Sequence, residues 1–284
     1  MNTGERRPGV AAYGGPDRDN VWGKQKVLAL LVAGALAGIL LLAGLGLAVF
    51  YAIDPSPTAG TPASTLPPQA AAGPQRPGDQ QRTRRDHLAA APMRPAQASD
   101  AQPSVLSTRD PGSIVLPAST TTGPVAVPAG FTHTPAGALA QLAAIDTAAL
   151  DSASIGGAQA VIDHWAAPGG PTAATWSGVL AMADFLSAAG LPAGKPPDLA
   201  LSATPLMGLV KATDGGDWVV ACVDFEVDAT LARTARVAVA DCQRMAWAGN
   251  RWVVGPGTEP APAPSIWPGT DASIDAGYQE LRSE

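Results

Sequence analysis

Few residues in this sequence could carry chemistry. Its 284 residues include three His, two Cys and five scattered Glu. No Ser-x-x-Lys, Gly-x-Ser-x-Gly or His-Glu-x-x-His run occurs, so the common patterns for an activated nucleophile or a hydrolytic zinc are missing. His133 and His164 have no Cys or His at metal-ligand spacing, and Asp163 beside His164 supplies one ligand pair at most. Their expected roles are a residue at a helix start and a residue on a helix surface. A carboxylate pair for glycoside hydrolysis would have to come from Asp224, Glu226, Asp228 or Asp241. Strand alternation puts the first three on the face opposite Phe225, where solvated charges are expected. The sequence thus points to no catalytic residue, no metal ligand and no cofactor, and a non-enzymatic role is the expectation.

Cys222 and Cys242 fall on two strands that should be neighbours. Pairing Phe225 with Val239 and Val227 with Val237 collects the apolar residues on one face, and the same register sets Cys222 opposite Cys242. A structural disulfide follows if the compartment is oxidising; two buried thiols packing as small hydrophobes are the alternative. Asp241 and Gln243 interrupt the apolar face of this pairing, which leaves room for a bulge. No Cys-x-x-Cys spacing suggests redox work.

The elements that would position these residues occupy 130–255. Thr134 is a good N-cap and Pro135 suits the first helical position; Leu139, Leu142, Ile145 and Ala149 then share one helical face. A second helix is expected over 155–167, closed by the Pro-Gly-Gly-Pro run at 168–171. A third is expected over 172–189, with Trp176, Val179, Leu180, Ala183 and Leu186 as its buried stripe. Beyond the prolines of 192–197 the period changes to that of strands. The expected strands are 199–211, interrupted at Pro205, then 218–227, 236–247 and 251–254. Turns are expected at Asp214-Gly215-Gly216-Asp217 and at Gly249-Asn250, the latter setting Trp247 opposite Trp252. Helices followed by an antiparallel sheet make an α+β domain. Trp165, Trp176 and Trp218 could line a cleft between the two layers, core packing being the other reading of each. A Pro-rich tail, 256–284, follows, with a short helix expected from Ile274, Tyr278 and Leu281 at i, i+4 and i+7. It would dock on the sheet or await a partner.

Ahead of this domain lies a different kind of sequence. Residues 27–53 form an uncharged apolar run, longer than the roughly 20 residues that cross a bilayer core as a helix. Lys24 and Lys26 flank its start, with Arg6, Arg7 and Arg18 behind them, whereas the first basic residue after it is Arg76. The positive-inside rule then predicts a cytoplasmic tail over 1–26 and everything beyond residue 53 outside. A cleaved signal peptide would have a shorter apolar core and a small-residue cleavage site, which Phe50-Tyr51-Ala52 does not supply. Gly34 and Gly38 have the spacing that lets two such helices approach closely, although Gly and Ala are common throughout this chain. Residues 54–129, rich in Pro, Ala, Thr, Ser and Gln, read as a disordered linker. Within it 107–116 has strand character and could dock on the domain. Arg82, Arg84 and Arg85 form a small basic cluster, either solvated or in contact with an anionic polymer. The net charge of −6 and the lack of any dense Lys/Arg face argue against nucleic-acid binding.

Two stretches carry a resemblance. GFTHTPAGALAQLAAID at 130–146 resembles the start of the outer domain in single-pass membrane proteins of actinobacterial integrative and conjugative elements. VVACVDFEVD at 219–228, ARVAVADCQRMAW at 235–247 and NRWVVG at 250–255 resemble the sheet of the same group. The overall plan is similar to the bitopic scaffold subunit of type IV secretion and conjugation systems. That resemblance implies a cystatin-like or nuclear-transport-factor-like α+β fold outside the membrane. It also implies contacts with other envelope or transfer-apparatus proteins, whereas self-association is an expectation from the Gly34 and Gly38 spacing alone. It brings no catalytic residues. In the best-known scaffold subunits helices and strands interleave, whereas here the helices are expected to precede the sheet.

Overall fold

The computed structural model describes residues 77–284. The expected membrane helix over 27–53, its Gly34 and Gly38, the tail over 1–26 and the first part of the linker lie outside the described residues. The described chain is α+β, as expected: helices on a curled, mostly antiparallel sheet. In chain order the elements are α1 (Pro77–Ala90), β1 (Ser113–Leu116), β2 (Thr121–Thr122), β3 (Pro128–Ala129), α2 (Pro135–Asp151), α3 (Ile155–Trp165) and α4 (Ser177–Ala188). Then come β4 (Ala200–Thr213), β5 (Trp218–Leu231), β6 (Arg233–Ala248), β7 (Arg251–Val254), α5 (Asp271–Asp275) and β8 (Gln279–Ser283). Six strands form the main sheet in the order β1-β8-β4-β5-β6-β7; β1 and β8 run parallel and the other neighbours antiparallel.

Local signals place the helices. The Thr134 hydroxyl accepts from the Gly137 amide at 3.1 Å, and Ser154 does the same for Gly157 at 3.1 Å, each satisfying an otherwise orphaned N–H of the first turn. The helix expected over 172–189 begins five residues late, at Ser177, because the Thr172 and Thr175 hydroxyls bond to one another in a preceding turn. Its buried residues are Val179, Met182 and Leu186; Leu180 is 49 % exposed and does not belong to the stripe. The strand pairings follow the expected register: Cys222 faces Cys242, Phe225 faces Val239, Val227 faces Val237 and Trp247 faces Trp252. Gly249 and Asn250 both take positive φ, as a two-residue turn of this hand requires. The interruption at Pro205 appears as a register shift between Pro205 and Met207 in β4.

The sheet is buried on both faces, and here the structure departs from the sequence reading. Along β5, Val219, Ala221, Val223, Phe225 and Val227 join the helix-side core with Leu139, Leu142, Ile145 and Trp252. The alternate residues Trp218, Val220, Cys222 and Asp224 are equally buried, on the far face. Two segments cover them. Residues 77–129, read as disordered linker, carry α1 and β1; Ala89 of α1 packs with Trp218 and Val220, and Met93 packs beside the cysteines. The tail after 256, expected to dock on the sheet or await a partner, docks: it inserts β8 between β1 and β4 and buries Tyr278 against Met207, Cys222 and Cys242. The C-terminal helix stops at Asp275 because Gly277 turns the chain at φ +94°, so Tyr278 and Leu281 leave the helix for the sheet. The strand character noted for 107–116 is realised as β1.

Cys222 and Cys242 are bridged, with their Cα atoms 4.0 Å apart. The Met93 sulfur lies 3.9 Å from one cysteine sulfur and 3.6 Å from the other, sealing the bridge from solvent.

Candidate functional site

The three tryptophans singled out as cleft residues do not share a cleft. Trp165 is fully buried at the end of α3, where its indole N–H donates to the Pro124 carbonyl at 3.4 Å and Arg251 lies 4.8 Å over its ring. Trp218 is on the far face of the sheet, with Arg85 of α1 stacked 5.4 Å from its centroid. Trp218 borders a groove of about 370 Å³ with Arg85, Asp86 and Arg244, whereas Trp176 borders a separate cavity of about 100 Å³ between α2, α4 and the helix-side face of β5 and β6.

Two acids, Asp146 and Asp241, line it, and the charge of a third, Glu259, acts on both. Asp146 comes from α2, Asp241 from β6 and Glu259 from the segment after β7. Asp146 is 5 % exposed and neither of its carboxylate oxygens has a hydrogen-bond partner. Burial holds its carboxyl well above the usual range, and the neighbouring Asp241 and Glu259 charges push it further. Asp241 is half-buried. Its oxygens accept from Gln243 Nε2 at 3.0 and 3.2 Å and from the Ser177 hydroxyl at 3.4 Å. Burial, then the Glu259 charge, raises its pKa to about 6, against the pull of these donors and of the Cys242 backbone amide. Glu259 accepts from the Ser177 backbone amide at 3.0 Å. It thereby caps α4 from outside, because Trp176 at the N-cap position has no side-chain oxygen to do so.

Trp176 is 1 % exposed and its indole N–H has no partner. Its ring is held in place by Gly178: a Cβ there would lie 2.9 Å from the indole. The wall opposite the acids is apolar, formed by Leu150, Met182, Phe225 and Val239. The cleft thus combines an apolar wall, an unpaired indole donor and two carboxyls that resist ionisation. Among the described residues no three His, Cys, Asp or Glu side chains are placed to hold a metal ion.

The other candidates have local explanations. His133 precedes α2, stacks on Trp247 at 4.2 Å and has its Nε2 2.8 Å from an Asp217 carboxylate oxygen. His164 is exposed on the surface of α3, as expected. Glu226 pairs with Arg236 at 2.8 Å. Asp224, expected to be solvated, is 0 % exposed beneath the tail and burial raises its pKa well above the usual range, against the pull of the Ile266 amide. The reading failed because the cover over that face is not visible as a periodic element. The signal for Asp241 and Gln243 was present as an interruption of the apolar face. Asp146 was overlooked, although it is a charged residue one turn beyond Leu142 in an apolar stripe.

Compared with known proteins, the chain matches no family model, no curated protein and no solved structure. Among the described residues no helix is long and apolar enough to cross a membrane.

Proposed function

We propose that this chain is a non-enzymatic, single-pass protein of the cell envelope that acts through protein–protein contacts, as a scaffold component of a conjugative transfer or secretion apparatus. In this reading residues 27–53 are the membrane helix, residues 1–26 face the cytoplasm and the folded unit beginning at Pro77 stands outside. Residues 54–76 separate the two. Gly34 and Gly38 are the contact face if the helix self-associates. The single observation carrying the reading is the cross-strand bridge between Cys222 and Cys242, the state that cysteines adopt in an oxidising compartment. It agrees with the side that the positive-inside rule assigns to the domain. Three helices on one face of a curled antiparallel sheet also fit the nuclear-transport-factor-like plan.

Crosslinking in living cells, followed by mass spectrometry of what is recovered with the full-length protein, tests this. Recovery of a transfer ATPase, a coupling protein or other envelope subunits is the expected result. Recovery of the protein alone would remove the scaffold reading.

A second reading, a binding module for wall polymer or a small ligand, is favoured by one observation. The cleft under Trp176 keeps a buried acid and a buried indole N–H without partners. Native interiors satisfy nearly all such groups, so a cavity presenting two of them suits an absent ligand.

A further inference from the structure

We propose that the cleft between α4 and the sheet binds an alkyl-ammonium group, whose charge is met by Asp146 and Asp241 and whose stem lies against Trp176, Met182 and Phe225. This deepens the binding-module reading and rests on it. The charges acting on Asp146 are those of Asp241 and Glu259, both negative, and Glu259 also acts on Asp241. Gln243 and Ser177, which donate to Asp241, are neutral. A cation entering the cleft would therefore relieve three acids at once, whereas an anion would add to their repulsion. Asp146 has both oxygens free to accept, while an ammonium offers three donors and no acceptor.

Size and wall chemistry narrow the ligand further. A cavity of about 100 Å³ is somewhat smaller than the ~150 Å³ that takes benzene. It admits a short alkyl chain with one polar end. A cavity of this size has no room for a fully hydrated divalent ion, and its apolar wall offers too few oxygen ligands for a dehydrated one. The Asp146 carboxyl accepts from the ammonium, while the Trp176 ring gives the alkyl stem an apolar surface. Such a group can come from a free amine or from a lysine side chain of a protein partner. The cleft reaches solvent beside Gly178 and Ala181 of α4. A four-carbon stem on a partner's backbone could enter there.

The test uses full-length protein in detergent micelles, titrated with n-butylammonium chloride and, separately, with n-butanol of nearly the same shape. Calorimetry in two buffers of different ionisation enthalpy reports both affinity and protons released. The expected result is saturable binding of butylammonium that releases protons as Asp146 and Asp241 ionise, with butanol weaker by about tenfold or more. Asp146→Asn, an isostere, should weaken butylammonium to the level of butanol, and Trp176→Phe should weaken both. Equal affinity for the two probes in the unaltered protein would overturn the ammonium proposal and leave a neutral-ligand site standing. Binding of neither would overturn the cleft as a binding site altogether. Titration with N-acetyl-lysine-methylamide separates the sources: affinity matching butylammonium supports a partner's lysine, and affinity about tenfold lower supports a free amine.

Discussion

Asp146 on α2 and Asp241 on β6 line one cleft, and the Asp241 charge adds to the burial that raises the energy of ionising Asp146. Both carboxyls are raised in the folded protein, so the native state binds more protons than the unfolded chain between the two sets of pKa values. Stability must then fall as pH rises through that interval. For Asp241 the window runs from the ordinary carboxylate range to about 6, worth up to roughly 3 kcal/mol. Asp146 and Asp224 extend the loss to higher pH. Urea midpoints measured from pH 4.5 to 8 should decline, and Asp241→Asn should flatten the part of the slope below pH about 6. A stability that climbs over that range would contradict the placement of these acids.

Replacing Asp146 by Asn, or Trp176 by Phe, should leave the protein at pH 8 as stable as before, or more so by about 1 kcal/mol. The first change removes the cost of ionising a buried acid and the second removes a buried N–H, and neither group has a partner to lose. Gly178→Ala should act in the opposite direction despite the better helix propensity of Ala, because its Cβ would meet the Trp176 ring at 2.9 Å. Thermal denaturation of the three variants side by side distinguishes the two kinds of change.

The contact between Arg244 and Asp86 ties α1 to the sheet. Arg244 has a side chain only 6 % exposed and bonds Asp86 at 2.7 Å; Arg85, on the same helix, bonds Asp214 at 2.8 Å. Asp86→Ala would leave a buried guanidinium without its acid, at a cost of about 1–3 kcal/mol. The same variant should open α1 to trypsin at Arg82, Arg84 and Arg85. Unchanged cleavage kinetics would mean that α1 is not held by this pair.

Removal of the disulfide by a Cys222→Ala, Cys242→Ala double substitution should lower stability by about 3 kcal/mol. That is the loop-closure figure for a sequence separation of 20. Equilibrium urea unfolding with and without reductant measures it, and the reduced wild type should match the variant within error.

Much of the helix-side architecture was legible because period and turn chemistry agree there. The turns at 214–217 and 249–250 set the register, and the two-residue repeat of Val223, Phe225 and Val227 chose the inward face. The far face was not legible for a physical reason. Helix α1, PGDQQRTRRDHLAA, has no apolar stripe; it docks by ion pairs and hydrogen bonds, by Arg85 stacked on Trp218, and by Leu88 and Ala89 as its apolar contacts. Periodicity cannot detect such a helix, and with it went the correct environment of Asp224. The site was half legible. Asp241 and Gln243 stood out as polar residues on an apolar face, whereas Glu259 sits in Pro-rich sequence whose path over α4 only the folded chain reveals.

The central claim, a folded domain standing outside the membrane, is tested most directly by the state of its two cysteines in living cells. Cells expressing the full-length chain are quenched in acid, and the protein is treated with a maleimide polymer before and after reduction. The account predicts no added mass before reduction and two labels after it, since Cys222 and Cys242 are the only cysteines. Two labels without reduction would place the domain in a reducing compartment and contradict the account.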